Sequence, residues 1–229
     1  MSIPHTKANI VVPVTDSTSL RQIANFSGSM PWDIVEIRVD RIPEIHQLIA
    51  DVSSIPVPVI LTCRHPDEGG FNDLREPEER RSILAPLIPH AAAIDIEIAS
   101  TEKMSGTIDL ARESELTVIL SFHDFSTTPN EDQLQVIIQN GIANDADLIK
   151  IATTTDNPAQ LCRLLSLISM FKDKPLALMG MGKLGMASRL IAAQSGSILN
   201  YAAMNEVTAP GQWPVEEFRN LLERAGSLD

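Results

Sequence analysis

Lys150 lies inside Asp147-Leu-Ile-Lys-Ile-Ala152, a run that otherwise has the composition of a buried strand. An ammonium is among the groups least often found in a packed interior, because burial disfavours its charged form. A lysine in such a place tends towards a neutral amine that can attack a ketone or aldehyde. Earlier in the chain, the apolar run Val118-Ile-Leu-Ser-Phe-His123 ends in a histidine. The unperturbed pKa of histidine lies near neutrality, which suits it to removing a proton from carbon. One strand ending in a base and a later one carrying an amine outline imine chemistry, in which the protonated imine draws electrons and makes the adjacent C–H acidic. Nearby cations such as Arg38 or Arg64, together with burial, are expected to lower the Lys150 pKa. The plainer alternatives are a lysine snorkelling at a strand end and a hydrogen-bonded core histidine. For Asp124 a helix cap, a loop carboxylate and a catalytic role all stand open.

Other charged residues fall into a period-2 pattern. Glu36, Arg38 and Asp40 share one parity against Val35, Ile37 and Val39. Ile60, Thr62 and Arg64 oppose Val59, Leu61 and Cys63, and Asp95 and Glu97 oppose Ile94, Ile96 and Ile98. Successive strand side chains point to opposite faces. Three such strands, with His123 and Lys150 after them, predict that the polar set converges on one site.

The elements that would position these residues alternate from end to end. Strands are expected at Ile10–Val14, Ile34–Val39, Val59–Arg64, Ala93–Ile98, Thr117–His123, Leu148–Ile151, Leu176–Met179 and, weakly, Ile198–Tyr201. Helical periodicity falls near 18–27, 44–52, 77–88, 101–113, 131–142, 157–170, 186–194 and 214–225. Asn157 followed by Pro158 is a helix start, an Asn cap with Pro in the first turn. Eight strand–helix units predict a (β/α)₈ TIM barrel, a single domain over 1–229, with a doubly wound open sheet as the structural alternative. The barrel would put Arg38, Arg64, His123 and Lys150 at or near the C-terminal strand ends, where barrel enzymes build their sites.

Composition narrows the function classes. The chain has 229 residues, 44% hydrophobic and 21% charged, with a formal net charge of −12. That charge argues against nucleic-acid or anionic-membrane partners, and an anionic ligand would need specific arginines. No stretch approaches the roughly 18 apolar residues of a membrane span. The N-terminal residues lack the apolar region of a signal peptide, so a cytoplasmic location is expected. Cys63 and Cys162 offer neither a disulfide framework nor CxxC spacing and read as reduced packing residues. The five histidines show no HxH or HExxH spacing, so no metal is expected. Met179-Gly-Met-Gly-Lys-Leu-Gly185 has the outward look of a phosphate cradle but is neither a P-loop nor GxGxxG. Alone, Arg189 reads as a solvated helix residue, and Thr208-Ala-Pro-Gly-Gln212 reads as a turn or a lid.

Taken together, several segments closely resemble the type I 3-dehydroquinate dehydratase family. They are Glu36-Ile-Arg-Val-Asp40, Thr62-Cys-Arg-His-Pro-Asp-Glu-Gly-Gly70, Ser121-Phe-His-Asp124, Ile149-Lys-Ile-Ala152, Met179-Gly-Met-Gly182 with Ser188-Arg189, and Ala209-Pro-Gly-Gln212. The resemblance implies a (β/α)₈ barrel that dehydrates 3-dehydroquinate to 3-dehydroshikimate in the shikimate pathway without metal or organic cofactor, often as a homodimer. It implies that Lys150 forms the imine, that His123 moves the protons, and that Glu68 supports His123. Arg189 would pair with the substrate carboxylate, and Gln212 and Thr208 would complete the pocket from the lid. Glu36, Arg38 and Arg64 would bind ring hydroxyls and set the local field. Two departures from better-known members stand out: Thr208 stands where they have Ser, and Cys63 and His65 flank Arg64 where many relatives carry other residues. The rival readings are another Schiff-base barrel, such as a class I aldolase, and a non-catalytic barrel that binds a small acid.

Overall fold

The computed structural model describes residues 2–205 and 208–228. Among them the eight strands are β1 (Asn9–Val14), β2 (Ile34–Arg38), β3 (Val59–Thr62), β4 (Ala93–Glu97), β5 (Thr117–Asp124), β6 (Leu148–Thr154), β7 (Leu176–Met181) and β8 (Leu199–Tyr201). The principal helices are α1 (Ser17–Ala24), α2 (Ile49–Ser54), α3 (Pro77–Leu84), α4 (Ser105–Glu113), α5 (Glu131–Ala143), α6 (Pro158–Met170), α7 (Gly185–Gln194) and α8 (Val215–Arg224). The strands form one parallel sheet in the order β8-β1-β2-β3-β4-β5-β6-β7. Its two edges meet where Ile198 N donates to Leu176 O at 2.8 Å and Leu178 N donates to Ser197 Oγ at 3.0 Å. The fold is the (β/α)₈ barrel expected from the alternation, not the open sheet.

Local sequence explains most element boundaries. Asn157 caps α6 by accepting from Gln160 N, with Pro158 in the first turn, as expected. Asn130 and Gln133 form a capping box at the start of α5; losing such a cap costs about 1 kcal/mol. The helix expected to reach 88 stops at Leu84, because Pro86 has no N–H to continue the ladder. The first half of the expected 44–52 helix is a 3₁₀ turn, Ile45–Leu48. No side chain caps that turn or α2, and i→i+3 bonding tightens an unsupported helix start. Strands β2 and β3 end sooner than expected, at Arg38 and Thr62, whereas β5, β6 and β7 stay paired through Asp124, Thr154 and Met181.

The parity read from the sequence holds in three dimensions. Val11, Ile34, Ile60, Ala93, Ile119, Leu148, Ala177 and Leu199 form an apolar floor inside the barrel. Two residues further along their strands come Glu36, Thr62, Asp95, Ser121, Lys150 and Tyr201, all buried. The opposite faces, including Val35, Leu61, Ile94 and Leu120, pack beneath the helices. The lumen is therefore apolar at its base and polar near its C-terminal end. Cys63 is buried as expected, and burial pushes its thiol up to about 12. Cys162 corrects the packing reading: it is exposed on α6, because its position on that helix faces away from the Leu164 and Leu167 stripe.

Candidate active site

The polar layer has to neutralise its own charges, since buried ions survive only when paired. Lys150 Nζ donates to Asp95 Oδ2 at 2.7 Å, to Tyr201 OH at 3.1 Å and to Glu36 Oε1 at 3.2 Å. It is 4% exposed, which rules out a snorkelling lysine. Two carboxylates pair with this amine directly, and Arg64 neighbours it, as expected, through the Asp95 carboxylate that both cations bind. Arg64 Nη2 donates to Asp95 Oδ1 at 2.7 Å, and Nη1 donates to Glu97 at 2.9 Å and to Ser121. Arg80, buried on α3, closes the series by donating to Glu97 Oε2 and the Cys63 carbonyl. Burial alone would raise the Asp95 carboxyl, but Arg64 and Lys150 hold it well below the usual carboxylate range. Glu97 is lowered too, against burial, by Arg64 and Arg80. Both nitrogens at the tip of Arg64 are committed to protein partners, and its guanidinium is fixed by them.

His123 sits at the end of β5 with Nδ1 2.9 Å from Glu68 Oε2. The same oxygen accepts the His123 backbone N–H at 2.9 Å. An oxygen already accepting one N–H is best matched by a second, so this arrangement assigns the ring proton to Nδ1 and leaves Nε2 with its lone pair. Burial, followed by the Arg64 and Lys150 cations, lowers the His123 pKa well below its ordinary value and keeps the ring neutral. Burial pushes the Glu68 carboxyl up to about 7, against the pull of Arg64. Glu68 comes from the short turn Pro66–Glu68, which ends at Gly69 in the left-handed region with φ +85°. A Cβ there would also lie 2.7 Å from the Phe125 ring, so glycine lets the turn pass beneath that aromatic.

Arg38 lies at the end of β2, where its Nε and Nη2 form a bidentate pair with Asp40 at 2.9 and 2.8 Å. Asp40 is thus a support for Arg38 in the turn after β2, and it also accepts the backbone N–H groups of Arg64 and Phe71. Asp124 accepts from the backbone of Ser126 and Thr127, which settles it as a loop carboxylate. Around Met179–Gly185, Gly180 N donates to Ser188 Oγ and Lys183 N donates to Asp156 Oδ1. These amides already have partners, one of them an anion, and they form no phosphate cradle.

Arg189 is 1% exposed on α7, not solvated as its sequence alone would read. Its Nη1 donates to the carbonyls of Gly180, Gly185 and Gly211, and Nε has no partner. Among the described residues no carboxylate pairs with it, and burial lowers its pKa to about 10. Gly211 and Gly185 approach so closely that a Cβ on Gly185 would lie 2.8 Å from Gly211 Cα, which docks the 208–212 loop over this arginine. Within that loop, Gln212 Oε1 accepts from Thr208 N at 2.8 Å, and Gln212 Nε2 donates to Thr208 Oγ1 at 3.0 Å.

One cavity of about 290 Å³ is lined by Lys150, His123, Glu68, Glu36, Arg38, Arg64, Arg189, Thr208 and Gln212. All nine candidate residues therefore converge. Tyr201 and Phe125, which the sequence did not single out, line it with them, as do Met179 and Met181 of the quoted Met179–Gly182 segment.

The chain matches the type I 3-dehydroquinase family model over residues 10–229. The chain belongs to the type I 3-dehydroquinase family. It is 36% identical over 200 residues to the 3-dehydroquinate dehydratase of Latilactobacillus sakei subsp. sakei, covering 83% of this chain and 82% of that protein. Against the enzyme of Methanothrix thermoacetophila the identity is 34% over 208 residues, covering 90% and 88%. A crystal structure of type I 3-dehydroquinate dehydratase from Clostridium difficile, with covalent modified comenic acid, superimposes with a TM-score of 0.87 at 26% identity, covering 98% of this chain and 95% of that one. The reaction of this 3-dehydroquinase barrel is thus the dehydration of 3-dehydroquinate in the shikimate pathway, a carbon–oxygen lyase activity. Among the described residues, no helix is long and apolar enough to cross a membrane.

Proposed function

We propose that this 3-dehydroquinase works through an imine between Lys150 and the substrate ketone, with His123 as the proton-transfer group. The observation that carries this reading is that a buried amine and a neutral imidazole enter the same cavity from adjacent strands. Lys150 Nζ attacks the carbonyl carbon, and the carbinolamine loses water to give the protonated imine. His123 Nε2 then takes a proton from the adjacent carbon, as its proton on Nδ1 is held by Glu68. The same nitrogen returns a proton to the departing hydroxyl, which leaves as water. Hydrolysis of the imine frees the product and the lysine.

The remaining residues follow from what they touch. Arg189, a buried cation that pairs with no carboxylate among the described residues, fits the substrate carboxylate, and burial strengthens such a pair. Gln212 and Thr208 close the cavity beside it, and Arg38 and Glu36 offer a donor and an acceptor to ring hydroxyls. Arg64 fixes Asp95, and through it Lys150. We further propose one catalytic domain over residues 1–229, a cytoplasmic location and a homodimer. The family resemblance supports the dimer. Adding 3-dehydroquinate and following the conjugated enone absorbance of the product tests the activity directly: growth of that band is expected, and its absence with folded protein refutes the reading.

A further inference from the structure

Before Lys150 can attack a ketone its ammonium must lose a proton, and His123 makes no hydrogen bond to it among the described residues. Three groups do: Asp95, Glu36 and Tyr201. Tyr201 differs from the other two because its hydroxyl both accepts and donates. It accepts from Lys150 Nζ at 3.1 Å and donates to Glu36 Oε1 at 3.0 Å. Its ring lies beside the ammonium, with Nζ 4.5 Å from the centroid. Tyr201 is the last residue of β8, 4% exposed, and it lines the substrate cavity.

We propose that Tyr201 is a catalytic residue that carries the Lys150 proton to Glu36, an assignment that rests on the imine reading above. In this step the Nζ–H bond breaks as a new O–H bond forms on the tyrosine. The original tyrosine O–H bond breaks as its proton passes to Glu36 Oε1. Two protons move, no electrons are exchanged with any other group, and the result is a neutral amine, a neutral phenol and a neutral carboxyl. Running the path backwards recharges the lysine after the imine is hydrolysed.

Three observations favour this route. Asp95 is the nearest acceptor, but Arg64 and Lys150 hold its carboxyl so far below the usual range that it is a poor base. Burial and the Glu36 and Asp95 charges raise the Tyr201 hydroxyl well above its ordinary pKa. It therefore keeps a proton and relays by exchange rather than by becoming a phenolate. Direct transfer from Nζ to Oε1 spans 3.2 Å and ends on an oxygen that already accepts from Thr62 and Tyr201. Passing through the tyrosine instead turns the Tyr201–Glu36 hydrogen bond around and so removes one of the donors to Oε1.

Rapid-quench borohydride trapping with 3-dehydroquinate reads the imine-forming step. Tyr201→Phe keeps the ring and should slow adduct formation about tenfold or more, at the low end of general acid–base effects, with KM changed less than twofold. In a Glu36→Gln background, where the final acceptor is gone, the same change should add less than twofold. The wild-type rate in mixed H₂O/D₂O gives a second readout that needs no variant: two protons in flight predict a curved dependence on deuterium fraction. An unchanged rate in Tyr201→Phe, effects that multiply in the double variant, or a linear dependence overturns the relay while leaving the imine standing. No adduct on the wild type overturns both.

Discussion

His123 and Lys150 project from adjacent strands onto the same face, with Lys150 level with Ser121 and His123 one inward-facing step nearer the C-terminal end. That step of two residues is about 6–7 Å along a strand. The amine therefore lies deep and the base lies above it. In the proposed mechanism, a ketone carbon joined to the amine would present its neighbouring carbon, and the leaving hydroxyl beyond it, towards the imidazole. The order of the chemistry follows the depth of the cavity.

Replacing the amine tests the deep position. In Lys150→Met, Asp95 keeps Arg64 and Ser121, and Glu36 keeps Thr62 and Tyr201. The barrel should remain folded with a loss of about 3 kcal/mol, the low end for breaking a buried ion pair. Turnover and borohydride capture should both vanish. Circular dichroism and a denaturant melt check the fold, and turnover retained by a folded variant rules out Lys150 as the nucleophile.

Removing the base should separate proton transfer from imine formation. His123→Ala is expected to lower kcat by about 10²–10⁴ while substrate binding changes little. A wild-type rate for the variant would take His123 out of the mechanism.

Glu68 predicts the acidic limb of the pH profile. Below about 7 its carboxyl is protonated and donates to Nδ1, which puts the ring proton on Nε2, where the base is needed. Activity, as kcat/KM, should therefore fall as pH drops through about 7, and Glu68→Gln should flatten that limb. Stability carries the matching sign. The folded carboxyl binds its proton more tightly than the usual 4.5, so its contribution is complete below that pH and is lost as pH rises through about 7. Thermal melts should accordingly find Glu68→Gln gaining on the wild type over that window. A limb that stays in place in the variant contradicts the coupling.

Arg189→Ala removes the buried cation that pairs with no carboxylate among the described residues. The loss in kcat/KM should be about 2–4 kcal/mol, at least roughly 30-fold, as for truncating one member of a buried charge pair. For a substrate analogue without its carboxylate the loss should shrink to a few-fold. Equal losses with both compounds would show that Arg189 does not pair with that group.

The parts of this site that were legible in the sequence are those that violate local expectation. A lysine in an apolar strand and carboxylates of one parity had few places to go but the lumen, and the barrel put them there. Pairings were not legible, because they depend on which strands become neighbours: Lys150 pairs with Asp95 and Glu36, and Arg64 stands beside it through Asp95. Arg80 stands in Glu-Glu-Arg-Arg, which reads as a solvated helix face, yet it is buried because Glu97 and the Cys63 carbonyl take its charge. Tyr201 ends a strand of three residues and passes for core until its hydroxyl is seen against Lys150. Glu68 sits in a loop with no periodicity, and only the family resemblance singled it out.

The central claim is that Lys150 becomes covalently attached to the substrate. The most direct measurement is borohydride reduction in the presence of 3-dehydroquinate, followed by mass mapping of the digested protein. A substrate- or product-derived adduct on the peptide containing Lys150, absent without borohydride, is the result this mechanism predicts. A folded, substrate-binding protein that gives no adduct, or one modified at another lysine, would contradict it.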